Sequence, residues 1–199
     1  MIRVGETFMS KSAIQVLSTP QERAVEALRQ GAVVVSASAF VALCAHITIP
    51  LPSTPVPLTA QNFGVLLVGL LLGSRRGFAA LTLYLLEGIA GLPVFSPTGP
   101  GGVAQLFGVT GGFLLAYPLV AFLAGLILER GKRSFARAAI AALAAEILLF
   151  AGGLAWLYVL THSLAKAAYF GLYWFIAAEI IKVMLAAGIA SRWRRNRLV

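Results

Sequence analysis

Read for its order of apolar and polar residues, the chain is a series of long apolar stretches cut by short charged or proline-rich ones. Residues 31–49 contain no Lys, Arg, Asp or Glu and are long enough to cross a bilayer, at 1.5 Å rise per residue and about 20 residues per crossing. Further apolar runs cover 60–73, 77–92, 113–128 (with Pro118 inside), 138–160 and 167–190. The pattern predicts an all-α integral membrane protein with six transmembrane helices filling residues 31–191. Ahead of them, Thr19, Pro20 and Glu22 read as a capped helix start with proline at its first position. A short amphipathic helix through QERAVEALRQ is therefore expected at the membrane surface, within a cytoplasmic segment 1–30.

Two stretches break the helical pattern. PLPSTPVP, residues 50–57, holds four prolines, which remove backbone donors and fix φ. The second, GLPVFSPTGPGGVAQLFGVTGG over 91–112, is rich in glycine and proline, has no charge, and is too apolar for a solvated linker. Irregular backbone at membrane depth is tolerated where it is buried or lines a cavity, so both are expected to cover or fold into the protein.

Composition agrees. Of 199 residues 59% are hydrophobic and 12% charged, against about a quarter charged in a soluble domain. Sixteen Lys and Arg face seven acidic residues, all Glu, but they sit between apolar runs rather than in a basic, aromatic-laced patch, which argues against nucleic acid. Their placement is instead a topology signal. With both termini cytoplasmic, the inner segments hold Arg3, Lys11, Arg23, Arg29, Arg75, Arg76, Arg130, Lys132, Arg133, Arg137, Arg192, Arg194, Arg195 and Arg197, leaving only Lys166 outside and Lys182 within the membrane. The positive-inside rule selects this orientation, with a basic tail at 192–199 and both irregular loops on the external face. The first residues lack the pattern of a cleaved signal peptide.

Candidate chemistry is sparse. The single cysteine, Cys44, lies in an apolar run and reads as a buried hydrophobe; neither His46 nor His162 has a metal-ligand partner at suitable spacing, and no metal site is expected. P-loop, GxSxG and HExxH signatures are absent, so no catalytic residues and no cofactor are expected, and any ATP hydrolysis would belong to a partner. What stands out is WFIAAEIIKVMLAAGIASRW, where Glu179 and Lys182 lie three residues apart on one helix face inside an apolar run. An ionisable group at the bilayer centre costs about 2.5 to 3.5 kcal/mol even on the lenient insertion scale, so such groups face a bundle interior and mark a site or a structural ion pair. Glu87 and Glu146 are the other carboxylates at membrane depth. Each reads as a partner of Lys182, an acid bonded to a backbone carbonyl, or a pocket residue. Small residues recur at helical spacing at Ser38, Ala42 and Ala45, and again at Gly69 and Gly73, the signature of close helix packing in lipid, either internal or against another subunit.

Several words together resemble the biotin-specific S components of energy-coupling factor (ECF) transporters, the BioY family: P-V-P-x-T-x-Q at Pro55 to Gln61, L-L-x-G-L-L-L-G-x-R-R-G at Leu66 to Gly77, G-L-P-V-F at Gly91 to Phe95 and G-x-T-G-G at Gly108 to Gly112. The resemblance runs from the first span to the last. It implies a prokaryotic cell-membrane protein that takes biotin from outside and joins a T component and two ATPase subunits. It also implies that Glu179 and Lys182, at the positions of the family's D-x-x-K pair, contact biotin. Glutamate in place of aspartate is a departure, as are Val109 and Phe113 in place of Pro and Tyr.

Biotin's ureido ring offers two N–H donors and a carbonyl, its thioether ring wants apolar contact, and its valerate tail ends in carboxylate. Glu179 is expected on a ureido N–H and Lys182 on the ureido oxygen, with Lys182 on the valerate carboxylate as the other assignment. Gln61, Gln105 and Thr110, beside the loops, are candidates for polar contact. Glu87, Tyr84, Phe95 and Trp156 complete the candidate pocket, and the Ser38, Ala42 and Ala45 stripe is expected to meet the T component. The rival readings are an S component for another vitamin, a membrane-embedded enzyme, and a scaffold subunit.

Overall fold

The computed structural model describes residues 20–193. Thr19, the remainder of segment 1–19 and the tail from 194 onward lie outside the described residues, so the expected N-cap and most of the basic tail are not addressed by it. The chain divides into two compact units, the first ending at Val33 and the second starting at Val34. In the first, described from Pro20, local helical pairs dominate: the Gln30 amide donates to the Glu26 carboxylate, and Arg29 lies 3.6 Å from it. These are exposed pairs one turn apart, the weak kind.

The described chain is almost entirely helical: α1 (Pro20–His46), α2 (Gln61–Leu72), α3 (Ser74–Ile89), α4 (Gly102–Phe107), α5 (Gly111–Glu129), α6 (Phe135–Thr161), α7 (Leu164–Ala168), a π-helical turn (Tyr169–Tyr173) and α8 (Ile176–Arg192). The only sheet among the described residues pairs β1 (Thr48–Ile49) with β2 (Leu58–Thr59), antiparallel, with Thr48 opposite Thr59. Where a surface helix and a separate span were expected, α1 runs unbroken through residue 30, because nothing in QGAVVV stops a helix.

Three helices are long and apolar enough to cross a membrane, α1, α5 and α6, and a fourth crossing results if the segment Leu164–Tyr173 and α8, which meet at 46°, form one broken span. The protein is thus a multi-pass membrane protein, but six spans are not what helix length gives. At 12 residues, α2 rises about 18 Å against a hydrocarbon core of about 30 Å, and α3 has Arg75 and Arg76 in its first turn and carries Glu87. The outward faces are apolar throughout: Phe78 and Leu86 on α3, Leu115, Leu119 and Phe122 on α5, Ile140, Leu143 and Ile147 on α6, and Ile180, Ile181, Met184 and Leu185 on α8 are all exposed. Such a surface suits lipid and not water.

Inside, small residues allow close approach. Ala138, Ala141, Ala142 and Ala145 form a fully buried face of α6 that packs on α5, and a methyl group at Gly69 of α2 would stand 2.9 Å from the Ala121 Cα of α5. Gly73, at φ +87°, makes the corner between α2 and α3. The Glu129 carboxylate accepts from the Ser74 hydroxyl at 2.7 Å and the Ser74 N–H at 3.3 Å, capping α3, while Arg133 donates to the Leu70 carbonyl at the end of α2. This corner is why the LLLGSRRG word ends one helix and starts the next within two residues.

The small-residue stripe of α1 also faces inward. Ser38 and Ala45 have no exposed surface, and the Ser38 hydroxyl donates to Glu87 on α3. Only Ala42 is partly exposed, so the expectation that Ser38, Ala42 and Ala45 together meet another subunit gives way to internal packing: a residue filled in on all sides has no surface left to offer.

Candidate functional site

The chain from Ile47 to Gln61 and from Gly91 to Gly112 folds over the ends of α2, α5, α6 and α8. Thr54 is the key of the first loop. Its hydroxyl donates to the Phe170 carbonyl at 2.7 Å and accepts from the Val56 N–H at 3.1 Å. The π-helical turn, which shifts backbone hydrogen bonds by one residue, provides that carbonyl. Val56 is thereby held against Leu157, Ala167 and Phe175.

The second loop is held from below. Gln61 Nε2 donates to the Tyr84 hydroxyl at 2.7 Å, and Tyr84 donates to the Val94 carbonyl at 2.9 Å. Phe95 turns in edge-on to Tyr84, ring centres 5.4 Å apart, over Gly88, where a side chain would occupy the place of the ring. Gln105, buried, accepts from the Gly101 N–H at 3.0 Å and donates to Thr110 at 3.3 Å. Trp156 Nε1 donates to the Gly108 carbonyl at 2.9 Å.

Beneath these loops lies a cavity whose empty space, counted out through its open mouth, is about 580 Å³. Its lining has three parts. A loop wall is made by Val56, Pro57, Thr59, Gln61, Ser96, Gln105 and Thr110; an apolar wall by Phe113, Leu114, Tyr117, Leu149, Phe150 and Phe175; and a charged wall by Asn62, Glu179 and Lys182. Phe113 and Phe150 meet edge to face at 6.2 Å.

The charged wall is a chain of bonds across three helices. Lys182 Nζ lies 2.7 Å from Glu179 Oε1 on α8. The other oxygen, Glu179 Oε2, accepts from Asn62 Nδ2 at 2.7 Å, and the same Nδ2 donates to Glu146 Oε1 on α6 at 2.6 Å. Asn62 stands in the first turn of α2. Glu146, Glu179 and Asn62 are 4%, 8% and 5% exposed, so these groups lie in a medium where electrostatic interactions are several times stronger than in water. One ammonium and one amide thus hold two carboxyl groups together.

Among the residues expected in a site, the structure brings Glu179, Lys182, Gln61, Gln105 and Thr110 to one cavity. Tyr84 and Phe95 stand behind it as loop supports, Glu87 is paired with Ser38, and Trp156 lines a separate shallow apolar groove with Gly112, Gly152 and Val159. Sequence reasoning did not single out Asn62, Tyr117, Phe150 or Phe175, and left Glu146 among three readings. For Asn62 a signal exists: it is the one asparagine in any apolar run of the chain.

Comparison with known proteins gives one consistent answer. The sequence profile of the BioY family matches residues 12–198. A protein named as a biotin transporter BioY in Thermotoga maritima is 38% identical over 158 residues, 79% of this chain and 91% of the relative. One named as a probable biotin transporter BioY in Pyrococcus horikoshii is 37% identical over 142 residues, 71% and 83%. Among solved structures, the crystal structure of the S-component for biotin from an ECF-type ABC transporter superposes with a TM-score of 0.76 at 26% identity, over 88% of this chain and 93% of that one.

Proposed function

Because the chain belongs to the BioY family, we propose that it is the substrate-binding S component of an ECF transporter, capturing biotin from the external side and delivering it inward. It is a transport subunit rather than an enzyme: its relatives are named as transporters, and ATP hydrolysis resides in two ATPase subunits joined through a T component. The observation that carries the reading is the cavity beneath the loops, with a charged wall on one side and edge-to-face aromatic rings on another.

The ligand's chemistry matches those walls. Glu179 accepts a ureido N–H: each of its oxygens already takes one bond, from Lys182 and from Asn62, and a carboxylate oxygen accepts two. Lys182, with N–H groups beyond the one given to Glu179, donates to the ureido oxygen. The thioether ring and methylene tail lie against Phe113, Phe150 and Phe175, and the valerate end is met by the neutral donors Gln105 and Thr110. Bonds to charged groups in a dry site are the strong kind.

The family's fold supports reading α2 and α3 as two further short spans, which makes six, with both termini on the cytoplasmic side where fourteen of the sixteen basic residues then lie. The test is equilibrium binding by the detergent-purified protein, with biotin, thiamine and riboflavin in parallel. Saturable binding of biotin alone is expected; saturable binding of another vitamin without biotin would assign the protein to a different substrate.

A further inference from the structure

The bond chain of the charged wall leaves two oxygens without a partner. Asn62 Oδ1 and Glu146 Oε2 are buried and have no hydrogen-bond partner among the described residues. The Asn62 NH₂ faces a carboxyl oxygen of Glu146 at 2.6 Å and one of Glu179 at 2.7 Å, and reversing the amide would set its carbonyl oxygen against Glu179, the carboxylate paired with Lys182. The oxygen must therefore stay on the side away from the carboxyl groups. Asn62 is 5% exposed, yet it lines the cavity together with Glu179 and Lys182. A buried carbonyl oxygen without a donor costs about 1 to 3 kcal/mol, a penalty removed by a ligand that brings an N–H.

We infer that Asn62 is a binding residue, its Oδ1 accepting one N–H of the ligand's cyclic urea, and that Glu146 is a positioning residue that holds the Asn62 amide in the orientation this requires. The inference rests on the reading of the cavity as a biotin site and deepens it. Glu179 takes one ureido N–H, Asn62 the other, and Lys182 the oxygen between them, so all three polar atoms of the ring are matched. A site built to bond both N–H groups rejects a ligand that lacks one, because its own acceptor is then left unpaired. Glu146 touches no ligand atom in this scheme. Its role is to make one amide orientation far better than the other.

The experiment compares biotin with its two analogues methylated on one or the other ureido nitrogen, bound to detergent-purified full-length protein, with thermal melting of each variant as the check on folding. In the wild type both analogues bind at least about a hundredfold more weakly than biotin, since each loses a bond and adds bulk. In Asn62→Leu biotin weakens about tenfold, while the analogue methylated at the nitrogen facing Asn62 weakens little, so their ratio falls about tenfold; the other analogue's ratio to biotin is unchanged. Asn62→Ser, which stays polar but is too short to reach, gives the same pattern and serves if the leucine variant does not fold. Glu146→Met lowers the same ratio severalfold, and Glu146→Gln, which still accepts from Asn62, restores it. Equal weakening of biotin and both analogues in the Asn62 variants overturns the contact, as does a wild type that binds the analogues as tightly as biotin. No biotin binding by the wild type would instead overturn the functional reading, and the contact with it.

Discussion

The charged wall and the loop wall of the cavity are built on opposite principles. The charged wall takes one residue from each of α2 and α6 and two from α8, and ties them side chain to side chain at 2.6 to 2.7 Å. The loop wall has no charge and is tied mainly through single hydroxyl, amide and indole bonds to backbone carbonyls and N–H groups, as at Thr54, Tyr84, Gln105 and Trp156. A bond between buried ionised groups is costly to break from one side only, since it strands the other charge. A neutral bond to backbone is worth about 1 kcal/mol, and its loss strands no charge. The first wall should therefore set affinity and the second the rate at which ligand leaves.

Substitutions can break that division in order of size. The largest effect belongs to Glu179→Ala and Lys182→Ala, each expected to weaken biotin binding at least a hundredfold, with the double variant no worse than the weaker single because either change alone already dismantles the pair. Additive losses measured by equilibrium binding would mean that the two residues act separately. Glu179→Asp, which keeps the carboxylate but shortens its arm by one methylene, should stay within about tenfold of wild type. Next comes Gln105→Ala, with about a tenfold loss, since it removes a cavity-lining amide and the Gly101 bond together.

Thr54→Val should change equilibrium affinity only about threefold but speed dissociation by a similar factor, measured by chase with unlabelled biotin, and Thr54→Ser should restore it. An unchanged dissociation rate would show that the first loop does not hold the ligand in. Smallest of all, Trp156→Phe and Glu87→Gln should leave biotin affinity unchanged while lowering the melting temperature by a few degrees, because their bonds are to Gly108 and Ser38 and not to the cavity.

How much of this was legible follows from what each residue costs. Glu179 and Lys182 were readable because two charges in an apolar helix demand a reason. Glu146 demanded one too, but its partner, Asn62, lies 84 positions away and only folding joins them. Asn62 itself, uncharged and at a helix start, looks like an ordinary first-turn residue. Phe113, Phe150 and Phe175 were unreadable as walls for the opposite reason, since an aromatic in an apolar span costs nothing and says nothing. The two loops were legible from proline and glycine, and the family words located them, but the short helix α4 (Gly102–Phe107) inside the second was not expected, and their attachments were not legible.

The fold shows the same split. The apolar runs at 113–128 and 138–160 matched α5 and α6 closely, whereas the last span, expected as one helix over 167–190, is broken into α7, the π-helical turn and α8. No proline announces the break. A side chain at Gly171 would run into Leu157 and Leu154 of α6, so packing against a neighbouring helix accompanies it, and it sits where the Thr54 bond needs a free carbonyl. Helix length also mattered: α2 is as apolar as expected but too short by itself to count as a crossing.

The central claim is that the cavity takes biotin through its charged wall. Its most direct test is calorimetric titration of biotin into detergent-purified wild type and into the double variant Glu179→Ala/Lys182→Ala, both shown to be folded by thermal melting. The account predicts saturable binding at one biotin per chain in the wild type and a loss of at least a hundredfold in the variant. Equal affinity in the two would contradict it.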